Sequence, residues 1–170
     1  MSLNRWAAVA TGVVGVYLEA VEWLDLYPWT TSFAITHGDN GQQSLDIIVG
    51  VVLAAMTAAL WFAGRIAYVG RIVALISAAL LAVWLWFQVQ TWWIPYFTGA
   101  SPGWAKTWAK WFSGTTQILP HDPHHLPPDA NHFVLQLILL SAIGLCLATA
   151  LTPRPARSRL GHTARTGRAF

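Results

Sequence analysis

Four stretches of about twenty predominantly apolar residues, near 6–27, 45–63, 66–90 and 132–151, constrain this 170-residue chain more than any other feature. At 1.5 Å of rise per residue each is long enough to cross roughly 30 Å of hydrocarbon as an α-helix, which satisfies its own backbone polar groups in lipid. The pattern predicts an all-α, four-helix transmembrane bundle over residues 1–152, followed by an Arg-rich tail over 153–170. Only 10% of the residues are charged, against about 25% in an ordinary soluble domain. The single cysteine, Cys146, excludes an intrachain disulfide and a cysteine-built metal or iron–sulfur site.

The positive charges orient the bundle, because cytoplasmic segments retain Lys and Arg. With both termini cytoplasmic, the inside holds Arg5, Arg65, Arg71 and the five tail arginines Arg154, Arg157, Arg159, Arg165 and Arg168, and the outside only Lys106 and Lys110. The expected location is the cytoplasmic membrane, with a solvated tail that also fixes topology, anionic lipid as its second reading and no nucleic-acid partner. Trp23, Tyr27, Trp29, Trp84, Trp86, Trp92, Trp93 and Tyr96 fall where an outer aromatic belt is expected, and Trp6, Trp61 and Tyr68 at the inner interface. Arg5 ahead of an apolar run imitates a signal peptide, but Glu19, Glu22 and Asp25 stand where small cleavage-site residues belong, so the first helix reads as retained.

The third loop, residues 91–131, is long and aromatic. Ser101-Pro102 is an N-cap followed by proline at the first helical position, and Gly114 is placed to end the helix. The helix over about 102–113 carries Trp104, Trp108, Trp111 and Phe112 on one side and Lys106 and Lys110 on another. That pattern predicts an interfacial amphipathic helix in the outer leaflet, or a lid over the bundle. Beyond it lie His121, His124, His125 and His132 with Asp122 and Asp129 in twelve residues. Imidazole and carboxylate together suit a divalent transition metal, although no zinc-protease or paired zinc-ligand spacing is present. The other reading is a proline-stiffened polar loop in which Asp129 or Asn131 caps the last helix.

In the first helix Ala8, Gly12, Gly15, Glu19, Glu22 and Leu26 share one stripe, small toward the inside and acidic toward the outside. Measured from an outer boundary near Pro28, Glu22 lies about 9 Å and Glu19 about 13 Å deep. A carboxylate at such depth belongs in a bundle interior, paired, protonated or wet. Asp46 on the second helix, Gln88 and Gln90 on the third, and His132 and Gln136 on the fourth are its possible company, with His37 and Asp39 from the first loop. Asp46 and His132 also have plain structural roles open to them, at a helix N-terminus and at the headgroup level.

The stretch Trp92-Trp93-Ile94-Pro95-Tyr96-Phe97 with Gly99, Ser101 and Pro102, then Leu119-Pro120 and Pro127-Pro128-Asp129-Ala130-Asn131-His132, resembles small bacterial four-span membrane proteins that have no assigned activity. The likeness covers roughly residues 85–150. It implies the four-helix topology and the outer loop, and carries no reaction, cofactor or ligand.

The functional expectation is therefore an outward-facing acidic/His pocket that binds a divalent metal or relays protons, in transport, sensing or metal delivery. Its candidate ligands are Glu19, Glu22, Asp46, His121, His124, His125 and His132. The competing expectation is a non-catalytic accessory or assembly subunit, held by a membrane-protein partner or a second copy of itself. No nucleophile elbow, phosphate-binding glycine loop or CxxC occurs, and histidines for haem are lacking within the spans, which argues against an enzyme.

Overall fold

The structure, a computed structural model, describes residues 1–31 and 40–152. His37, Asp39 and the Arg-rich tail lie outside the described residues. Four long helices run antiparallel to their chain neighbours: α1 (Leu3–Trp23), α2 (Asn40–Ala63), α3 (Ala67–Gln88) and, after two short ones, α6 (Ala130–Leu151). They form a ring in which α1 packs along α2 and α6, and α3 packs along α6 and more lightly on α2. Between α3 and α6 come a π turn (Val89–Trp93), α4 (Ile94–Thr98) and α5 (Pro102–Trp111).

Three segments are long and apolar enough to cross a membrane, Ser44–Ala63, Tyr68–Thr98 and Ala130–Leu151. They present Ile47, Ile48, Val51, Leu75, Ile76, Leu80, Val83, Leu137 and Leu140 outward, the apolar exterior that lipid requires. The first expected span, α1, is not among the three because its last turns carry Glu19 and Glu22. The third is longer than its apolar run suggested and continues through the π turn to Thr98.

That π turn has a local cause. Pro95 has no N–H to give the Thr91 carbonyl, and in a regular helix its ring would press on that carbonyl; widening the turn relieves both problems without stopping the helix. Gly99 then ends α4 at φ 98°, a conformation that favours glycine. Ser101 caps α5 as expected, its Oγ accepting from the Trp104 N–H at 3.2 Å.

The core changes character along the bundle. At the Arg5 end it is built of small residues, with Ala7, Ala8, Ala74, Ala78, Cys146 and Ala150 around Leu60. The middle is a leucine layer of Val14, Leu53, Leu81, Leu135 and Leu139. The far end is aromatic, Trp92 and Trp108 with Leu126, and is covered by the 91–131 segment. Small side chains let helices approach closely, and bulky ones hold them apart. Two hydroxyls inside the bundle bond to their own helix, Thr11 to the Ala7 carbonyl at 2.9 Å and Thr149 to that of Leu145 at 2.8 Å.

Candidate functional site: an acidic, tryptophan-walled cavity

Above the leucine layer lies a cavity of about 480 Å³ with Leu135 among its lining residues. α1 contributes Glu19 and Glu22, α2 contributes Asp46, α3 and the π turn contribute Trp84, Gln88, Thr91 and Trp92, and α6 contributes Asn131 and His132. Trp104, Thr107, Trp111 and Phe112 of the α5 segment close the capped end. Of the two placements open to α5, its contacts are those of a lid: Trp108 is buried, and its indole Nε1–H donates to the Pro127 carbonyl at 3.1 Å. Lys106 and Lys110 stay exposed on the other side.

The carboxyls are individually seated. Glu19 Oε2 accepts from the Trp23 Nε1–H one turn on, at 2.8 Å. The same carboxylate lies against Gly50, where any Cβ would run into it, so a glycine in α2 is what allows an acid in α1. The Glu22 carboxyl lies beside those of Asp46 and Glu19, all three on the cavity wall. Glu22 Oε1 and Gln88 Oε1 are buried acceptors without a partner, and Trp104 Nε1–H is a buried donor without one.

His132 is held from two sides. The Asp129 carboxylate is fully buried and its Oδ1 both caps α6, accepting from the His132 N–H at 2.9 Å, and faces His132 Nδ1 at 2.7 Å. With Nδ1 turned to the carboxylate, Nε2 is the imidazole nitrogen left to act elsewhere. Trp92 packs on the ring at 4.2 Å between centroids and Phe112 meets it edge-on at 5.5 Å. Behind this, Tyr17 donates to Asn131 Oδ1 at 2.8 Å and Trp93 Nε1–H to Gln136 Oε1 at 2.7 Å, tying α1 and the π turn to α6.

The expected metal ligands are divided. Glu19, Glu22, Asp46 and His132 line the cavity, whereas His121, His124 and His125 do not. His121 packs against Trp108 at 5.4 Å, outside the cavity wall. Asp122 gathers the other two: it accepts the N–H of His124 at 2.7 Å and of His125 at 2.9 Å, and its Oδ2 lies 2.9 Å from His125 Nδ1. The His125 side chain and then those two N–H groups hold the Asp122 carboxyl down at about 2, so this turn keeps its negative charge through ordinary pH. The His-rich segment thus folds as a polar loop, and His121, His124 and His125 do not join Glu19, Glu22 and Asp46 in the cavity. Among the described residues, no group of three His, Cys, Asp or Glu side chains could hold a metal ion.

Two parts of the site are absent from the sequence reading. Trp84 and Trp92 read as belt residues and line the cavity instead, and Asp129 reads as a cap and also orients an imidazole. Pro95 was the available signal for Trp92, since a proline that removes an i−4 hydrogen bond marks where the helix departs from its regular turn; nothing in the sequence signalled Trp84.

Glu19 also lines a shallower apolar groove of about 790 Å³ between α1 and α2, together with Gly12, Gly15, Leu53 and Thr57. No family model matches the chain, and comparison with curated proteins and with solved structures also returned no match.

Proposed function

We propose that this is a four-span protein of the cytoplasmic membrane, both termini inside, whose outward-facing cavity binds a cation and exchanges protons as it does so. The single observation that carries this reading is the cavity itself, which gathers Glu19, Glu22, Asp46 and His132 beneath a tryptophan lid. α1 counts as the fourth span because its 21 residues reach about 32 Å and lie against two apolar helices. Lys106 and Lys110 on the capped end, against Arg5, Arg65 and Arg71 on the other, support the orientation. In that setting α5 lies at the level of the outer interface, with its lysines toward the headgroups.

A pair of carboxyls sharing a proton is suited to exchange: an arriving cation takes the place of the proton, and His132 Nε2 is a second group able to pass it on. A divalent metal is the weaker ligand class, because the cavity holds a single imidazole and lacks a three-ligand set.

The test uses the tryptophans of the cavity wall. The fluorescence of purified protein in mild detergent is expected to show a transition between pH 4 and 9 that is lost in Glu22→Gln and in Asp46→Asn, with folding unchanged. A wild-type curve without a transition, or one unaffected by both substitutions, would falsify the proton reading. Zinc bound stoichiometrically and lost in Glu22→Gln would reinstate the metal. Gly50→Ala, which pushes the Glu19 carboxylate off its seat, is expected to shift the midpoint while changing stability by less than about 1 kcal/mol, since only a flexible side chain must move.

A further inference from the structure

We propose that the cation is a protonated amine with an apolar body, a primary or secondary ammonium in place of a metal ion or a quaternary cation. The inference rests on the reading of the cavity as a cation pocket and names its ligand class.

The size argues first. A volume of about 480 Å³ lies within the range of about 300 to 1,000 Å³ typical of small-molecule sites. A bare ion would leave nearly all of it empty or wet. The walls argue second: Trp84, Trp92 and Trp104 line the space together with Trp111, whose ring is already faced by Lys110 Nζ at 4.8 Å, and indole rings attract organic cations through their quadrupole while offering apolar area to the rest of the molecule. The charges agree, for Glu19, Glu22 and Asp46 line the cavity, and among the described residues no Lys or Arg does.

The orphaned atoms narrow the class. Glu22 Oε1 and Gln88 Oε1 are buried acceptors that lack donors, and a buried acceptor left unmet is costly. An ammonium bearing N–H groups supplies donors to both; a quaternary ammonium supplies none. Trp104 Nε1–H is a donor lacking an acceptor, and it provides a place for one oxygen on the ligand. The amine enters charged and displaces the proton shared by Glu22 and Asp46, so one proton leaves as one cation arrives.

Three probes of one shape separate these claims: 2-phenylethylamine, its N,N,N-trimethyl analogue and the neutral 2-phenylethanol. Binding to the full chain in detergent is followed by calorimetry, with proton release read in weak buffer. The amine is expected to bind one to one, at least about tenfold more tightly than the alcohol and about threefold more tightly than the quaternary analogue. Glu22→Gln and Trp84→Leu are each expected to weaken it about tenfold, and Trp86→Leu, on the exposed face of α3, to leave it unchanged. Equal binding of alcohol and amine, or of quaternary and amine, overturns the proposal, as does indifference to both cavity substitutions. Amine binding without proton release removes the exchange reading and leaves the ligand class standing; a pH transition in a protein that binds no amine does the reverse.

Discussion

Replacing Trp92 by alanine is expected to destabilise the protein by about 3 to 5 kcal/mol and to release the lid. Trp92 is 2% exposed and is the hub of the capped end: Phe112 meets it at 4.8 Å, Trp104 at 5.4 Å and His132 at 4.2 Å between ring centroids. Removing the indole opens a cavity that α5 and α6 cannot close by relaxing, because α5 is also tied to Pro127 through Trp108 and to Thr31 through the Trp111 carbonyl. Thermal unfolding in detergent reads the first effect. Faster trypsin cleavage at Lys106 and Lys110 reads the second, and Trp92→Phe should recover most of both. A stability change below about 1 kcal/mol would mean that the aromatic cluster does not hold the cap.

The second large effect belongs to Asp129. Asp129→Ala removes the N-cap of α6 and the partner of His132 Nδ1 in one step. A lost cap costs about 0.5 to 2 kcal/mol and an unmet buried polar group about 1 to 3, so the expected total is about 2 to 4 kcal/mol. Asp129→Asn keeps an oxygen able to cap and should recover about half of the loss, since asparagine caps as well as aspartate but bears no charge to match the imidazole. Nitrogen-15 shifts of the His132 ring give a readout that capping alone would leave unmoved. The proton is expected on Nδ1 in the wild type and distributed over both nitrogens in Asp129→Ala. Unchanged ring shifts would reduce Asp129 to a cap.

Some of this site could be read directly from the chain. Glu19 and Glu22 lie three residues apart on a helix whose other stripe positions are small, so they must share a face and that face must approach another helix. Ser101-Pro102 and Asp129 announce helix starts through local chemistry, and both act as caps. The His-rich segment misled for an instructive reason. Histidines and acids close in sequence look like a ligand set, but Asp122 uses Oδ1 on the backbone of its own turn and Oδ2 on His125, while His121 packs on Trp108. The tryptophans misled for another. An indole at the end of an apolar run fits a lipid interface and a cavity wall equally well, and composition cannot tell inside from outside when lipid is as apolar as the core.

The sequence alone therefore determined the all-helical class and the apolar lengths that suit a membrane, because these follow from the local physics of apolar length and helical rise. Only the tertiary structure decided which groups meet. The π turn at Val89–Trp93 rotates Trp92 inward, Gly50 makes room for a carboxylate from the neighbouring helix, and α5 folds over the end of the bundle. Each depends on contacts between residues far apart in the chain, and no periodicity within a single segment encodes them.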